Sequence, residues 1–130
     1  MTTTLITPSA ELAVSVEEAK ANMGVIGTDD DARIRMLIAG ITMEMEGYLC
    51  RSVIHKTWRV TLDSFPDAIR LDNPPIVSVS YVKYYDEDGV LQTMDPQDYD
   101  VDAASSPGYI TPAPNKQWPS TYPRMNAVMV

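Results

Sequence analysis

Asp86, Glu87, Asp88, Asp95, Asp98, Asp100 and Asp102 fall within one short stretch, residues 86 to 102, that contains no Lys or Arg. Clustered carboxylates can serve as a glycosidase acid and base, or as hard oxygen ligands for calcium. The first use needs two carboxyl groups facing each other across a cleft lined by aromatics, whereas these crowd a turn. The second needs a D-x-D-x-D-G register closed by a glutamate at the twelfth position, which "DEDG" at 86–89 does not supply. A solvated acidic face is the reading that remains. The rest of the chemical inventory is thin. There is one histidine, His55, and one cysteine, Cys50, and the chain has no H-E-x-x-H, P-loop, G-x-G-x-x-G or G-x-S-x-G pattern. His55 sits between Ile54 and Lys56 where a helix gives way to a strand, and Cys50 follows an amphipathic helix as a small packing residue. The expectation is a protein that is not an enzyme, with no catalytic residues, no cofactor and no metal.

The whole composition bounds the partners. Eighteen acidic against 10 basic side chains give a net charge of -8 over 130 residues, the wrong sign for gripping nucleic acid through its phosphates. A lone cysteine excludes an internal disulfide and a cysteine-based zinc cage. The start, "MTTTLITPSAELAVSVEE", lacks the basic segment of a secretory signal. The longest uncharged stretch of the central helix, Met36 to Met43, is far short of the roughly 20 residues that cross a bilayer. No membrane partner is expected. With 45% apolar and 22% charged residues the chain reads as one globular domain, and its 10 prolines imply fixed turns and extended connections.

The elements that must position these residues are legible in outline. Residues 1–14 show no clear period and are expected as an N-terminal arm. In "SVEEAKANMG", Ser15 and Glu18 make an S-x-x-E capping box and Gly24 a left-handed stop, so a short helix is expected. Asp29, Asp30 and Asp31 then stand where acids cap a helix and complement its dipole. Ile34, Leu37, Ile38, Ile41, Met45, Tyr48 and Leu49 follow at spacings of three and four, an apolar stripe over about five turns. The other side of this helix carries Met36, Ala39, Gly40, Met43 and Gly47, a small and soft surface that a neighbouring helix could approach closely.

From "KTWRVTLDSF" the period changes to two, with Trp58, Val60 and Leu62 on one face of a half-buried strand. "AIRL" starts a second strand, and Pro74 and Pro75 take the chain out of the sheet. "IVSVSYVKYY" is expected as an alternating strand, joined through "DEDG" to "VLQTM" in a hairpin with Gly89 at positive φ. "DPQDYDVD" and "GYIT" are two more strand candidates. "NAVMV" reads as a further apolar strand, with an exposed flat edge that would invite aggregation. The fold class is therefore α+β: a helical pair over about 15–50, then an antiparallel β-meander with proline-rich loops over about 56–130. Tyr81, Tyr84 and Tyr85 could be core, a stacking platform for single strands, or interface anchors. A stacking platform would also need a basic groove, and only Lys83 lies nearby.

The order of these pieces is more specific than any one of them. "SVEEAKANMGV", "DDDARIRMLIAGITMEMEGYLCRSVIHKTWRVTLDSFP", "IRLDNPPIVSVSYVKYYDEDGV", "DPQDYDVD" and "KQWPSTYPRMNAVMV" together resemble the head-tail connector family of tailed phages, also called adaptor or head-completion proteins. The marks are the E-A-K helix, the acid-led long helix ending in E-x-Y, the K-T-W strand, the I-x-L-x-x-P-P pair, the D-x-x-x-Y turn and the late W-P, spread over residues 12–130. Cys50 stands where relatives often carry Gly before Arg. Members of the family usually continue into a further strand and a C-terminal helical segment, which these residues do not include, and residues 15–130 are expected as a single connector domain.

The resemblance implies a structural virion protein at the head-tail junction, made in the host cytoplasm. It would be a homo-oligomeric ring, typically dodecameric, between the portal protein and the stopper or tail-completion protein, extending a channel through which DNA passes without specific binding. Such a ring needs two different matching faces on each subunit. The candidates are Met36, Gly40 and Met43 on the long helix and Tyr84, Tyr85 and Met94 around the hairpin. Asp86, Glu87, Asp88, Asp95 and Asp98 are candidates for facing the channel, where acids would repel the duplex. The alternatives are a β-rich tail or baseplate interaction module, and a small carbohydrate-acting enzyme using the carboxylates and Trp118.

Overall fold

In the computed structural model, which describes residues 1–130, the expected capping box is formed. Ser15 Oγ accepts the Glu18 backbone N–H at 3.2 Å, and the Glu18 carboxylate accepts the Ser15 N–H at 3.1 Å. Helix α1, Val16–Met23, starts there and ends at Gly24, whose φ of 68° takes the left-handed stop. Helix α2, Asp31–Leu49, follows. Its acidic start works differently from the expectation. The Asp30 side chain makes no capping hydrogen bond, while Asp31 accepts from Lys20 Nζ at 2.7 Å and so ties the start of α2 to α1. At the far end Cys50 takes a left-handed conformation, φ 50°, and its N–H closes on Glu46 O.

The face that α2 buries is not the expected stripe. Ile34, Thr42 and Glu46 are buried and Ile38 is half-buried, whereas Leu37, Ile41, Met45, Tyr48 and Leu49 are exposed. The buried residues run at a strict spacing of four, which rotates the covered face toward Thr42 and Glu46. Both polar residues are satisfied there. Thr42 Oγ1 donates to Ile38 O at 2.7 Å, and Glu46 is held by the segment after the helix.

The chain divides into two compact units, residues 7–56 with both helices, and residues 1–6 with 57–130. The second holds the strands β1, Thr2–Thr7; β2, Thr57–Leu62; β3, Ile69–Leu71; β4, Lys83–Tyr85; β5, Leu91–Thr93; β6, Tyr99–Asp102; β7, Gly108–Pro112; and β8, Val128–Met129. They form a five-stranded sheet in the order β1-β2-β8-β4-β5 and a three-stranded sheet in the order β3-β7-β6. The pairs β2–β8, β4–β8, β4–β5, β3–β7 and β6–β7 are antiparallel, as expected for an α+β chain with hairpins. Thr2–Thr7 lies in the stretch read as an arm and is an edge strand.

Two strand expectations change. The alternating run from Ile76 becomes strand only at Lys83–Tyr85, although Ile76 and Val79 still pack on the core and Val82 is fully buried. Alternation provides a face to bury, but a ladder also needs a partner strand, and β5 and β8 flank the chain only from Lys83 onward. The segment "NAVMV" is no open edge either. β8 sits between β2 and β4, with Ala127 and Val128 fully buried and Val130 exchanging both backbone hydrogen bonds with Val60 at 2.9 Å. Around it Val60, Leu62, Ile69, Leu71, Val82, Met94, Tyr99 and Ile110 close one core. Phe65 seals its side, stacked on Trp118 at 4.6 Å between centroids and edge-on to Tyr84 at 5.7 Å.

Candidate functional site

On α2 the helical repeat places Met36, Gly40, Met43 and Gly47 together, and all four are exposed. Met36 and Met43 show 76% and 70% of their surface, and a Cβ added at Gly40 or Gly47 would meet nothing within 4 Å. Alongside them Leu37, Ile41, Met45 and Tyr48 add a second exposed apolar row. An amphipathic helix normally buries its apolar residues and exposes charge, and α2 leaves seven large apolar side chains in water. The free methionines can adapt to an irregular counterpart, and the glycines let another backbone come close.

The hairpin candidates separate. Met94 is 7% exposed and belongs to the core, and Tyr84 packs against Phe65 as part of the same cluster. Met94, a candidate subunit contact in the sequence, is turned inward within the single chain: its N–H bonds Val82 O at 2.8 Å, and the side chain packs in the core. Tyr85 is half-buried too but lies outside that cluster. The Arg124 guanidinium lies 4.2 Å from its ring centroid, and the Tyr85 carbonyl accepts the Tyr122 N–H at 3.0 Å. Lys83 lies likewise over Tyr81, at 4.6 Å.

Among the acids, Asp86 organises its own turn. Its carboxylate accepts the Val90 N–H at 2.9 Å, the Asp88 N–H at 3.1 Å and the Gln92 side-chain amide at 2.7 Å. The Gln92 bond, followed by the Val90 N–H, holds its pKa below the usual aspartate value. Asp95 caps the 3-10 turn Pro96–Asp98 through the Gln97 N–H, and Asp98 pairs with Lys116 at 2.9 Å. Glu87 and Asp88 point freely into solvent. Asp102 plays the same local part as Asp86: its carboxylate holds the 102–105 turn, and hydrogen bonds from Ser105 lower its pKa.

Sequence reasoning missed Glu46. Its carboxylate accepts the Val53 N–H at 2.8 Å and pairs with Lys56, so it pins the chain leaving α2 to the helix. Burial alone would raise its pKa, but the bonds from Lys56, Val53 and Ile54 outweigh that and hold it low. The E-x-Y mark, Glu46-Gly47-Tyr48, was the available signal. No group of three or more His, Cys, Asp or Glu is arranged to hold a metal ion, and His55 is exposed. No helix is long and apolar enough to cross a membrane.

No family model and no curated protein sequence matches this chain. A solved structure does. A chain from the neck of an empty GTA particle, computed with C6 symmetry, matches with a TM-score of 0.78 at 17% identity, over 99% of this chain and 68% of that one. This chain has the fold of a particle-neck protein. At that identity the likeness concerns the fold, over nearly the whole of this chain. The fold expected from the head-tail connector resemblance is thus the fold found.

Proposed function

We propose that this protein is a non-enzymatic structural component of the neck of a phage-like particle, a head-tail connector that forms a ring under the portal and extends the DNA channel toward the stopper or tail. The observation that carries the reading is the fold match across 99% of the chain to a chain from a particle neck. The exposed apolar surface of α2 supports it, because a lone domain gains nothing from leaving that surface wet. In the ring, which the resemblance implies is dodecameric, the Met36, Gly40 and Met43 face is one subunit contact and the surface around Tyr85 belongs to another. Two different faces are what a head-to-tail ring requires.

Glu87 and Asp88 are the candidate acids best placed to line a channel, since neither carboxylate is committed to a hydrogen bond or an ion pair. Carboxylates along a channel repel duplex phosphates, so the genome passes without sticking. Asp86, Asp95 and Asp98 contribute to the same negative field from fixed positions. The experiment is light scattering of the purified chain, alone and mixed with the portal protein of the same particle. A closed oligomer or a stable portal complex is expected. A monomer of 14.4 kDa that ignores the portal would overturn the reading and favour the tail-module alternative.

A further inference from the structure

The two sheets present four edges, and two of them are blunted by charge. β6 carries Asp100 and Asp102 and β3 carries Arg70, whereas β5 is short but uncharged. β1 has none of these devices. Its six residues, Thr2, Thr3, Thr4, Leu5, Ile6 and Thr7, include no charge, no proline and no glycine. All but Thr3 are exposed, with Leu5 at 40% and Ile6 at 44%. One side of β1 meets β2, and the other presents a row of free backbone N–H and C=O groups. Such a row accepts an extended backbone, and a sequence this rich in strand formers favours that pairing.

We infer that β1 is an assembly strand whose free edge pairs with the β5 edge, Leu91–Thr93, of a neighbouring copy, so that one sheet runs from subunit to subunit. The inference rests on the ring reading above. β1 and β5 are the two ends of the same sheet, so repeating one head-to-tail contact uses both edges in every copy and leaves no open edge once the ring closes. The chemistry of the two edges agrees. Leu91, Gln92 and Thr93 are all exposed and uncharged, and Leu91, at 45%, can meet Leu5 and Ile6. The hairpin beside β5 is acidic, and β1 brings no carboxylate against it. Recognition through backbone pairing supplies register, and the side chains facing either way supply selectivity.

The test is amide hydrogen exchange on the wild-type chain, free and assembled. Amides of Thr2–Thr7 and of Leu91–Thr93 are expected to exchange roughly tenfold or more slowly in the ring. In a Cys50→Ser background, Thr4→Cys combined with Gln92→Cys is expected to give disulfide-linked ladders of the chain on mild oxidation. Rings with unchanged exchange at both segments would overturn the inference and leave the ring reading standing. Protection of β1 that arises only with the portal protein, with none at β5, would also overturn it, by showing that a different chain covers the strand. Failure to assemble under any condition would remove the ring reading, and this inference with it.

Discussion

The Glu46 carboxylate, buried near the end of α2, accepts the Val53 backbone N–H at 2.8 Å and carries the charge of Lys56 with it. A helix and the strand-bound segment that leaves it are joined by one side chain. Removing that side chain strands a buried ammonium and two backbone donors. Glu46→Ala is expected to lower stability by about 3 kcal/mol. Urea unfolding at pH 7 measures it, with Glu44→Ala as the exposed control.

The same carboxylate sets an acid response. Its folded pKa lies below the unfolded value, so the native state binds this proton less readily than the unfolded one. Its stabilisation is therefore fully present above the unfolded-state value of 4.5 and is lost as pH falls through the lower folded pKa. Stability measured from pH 6 downward is expected to fall more steeply in the wild type than in Glu46→Gln. Parallel curves would show that Glu46 is not the titrating group.

Cys50 closes α2 at φ 50°, a conformation that a side chain with a Cβ adopts at a cost and glycine does not. Cys50→Gly is expected to raise stability by about 0.5–1 kcal/mol, net of the larger entropy glycine loses on folding. A thermal melt would register it as a higher midpoint. Gly in this place is also what the connector resemblance leads one to expect.

Gly108 lies in β7 opposite Leu71, where an added Cβ would sit 2.9 Å from both Asp102 O and Ile76 Cγ1. One of these is backbone and cannot move aside. Gly108→Ala is expected to destabilise the protein by about 1–3 kcal/mol, with no direct effect on the surface of α2. Denaturant midpoints would show it.

Gly40 is the opposite case, since nothing lies within 4 Å of its would-be Cβ. Gly40→Trp is expected to leave the monomer folded and to block assembly. Met43→Ala should weaken assembly at little cost to folding, while Met94→Ala should cost about 2–4 kcal/mol of stability. Circular dichroism and light scattering on the same samples separate the two effects. An unchanged oligomer in Gly40→Trp would remove the α2 contact.

By itself the sequence determined whatever depends on neighbours along the chain. The S-x-x-E box, the Gly24 stop, the existence of α2, the alternation of Trp58, Val60 and Leu62, and the Gly89 hairpin all rest on contacts a few residues apart. Such contacts form the same way wherever the rest of the chain lies. The absence of catalytic motifs and the net charge of -8 were equally plain, and the resemblance to head-tail connectors turned the reading toward assembly.

Only the tertiary structure decided which of these faces is covered. Periodicity marks the apolar side of α2, but burial of Thr42 and Glu46 depends on whether their polar atoms find partners, and Glu46 finds its own seven and ten residues later. The run from Ile76 looks like a strand throughout, yet it becomes one only where β5 and β8 lie beside it. β8 itself reads as a loose apolar end until β2 and β4 close on both its sides. Pairing partners far apart in sequence are chosen by the whole fold, because a backbone hydrogen bond or a buried methyl is satisfied by any suitable neighbour and names none in advance.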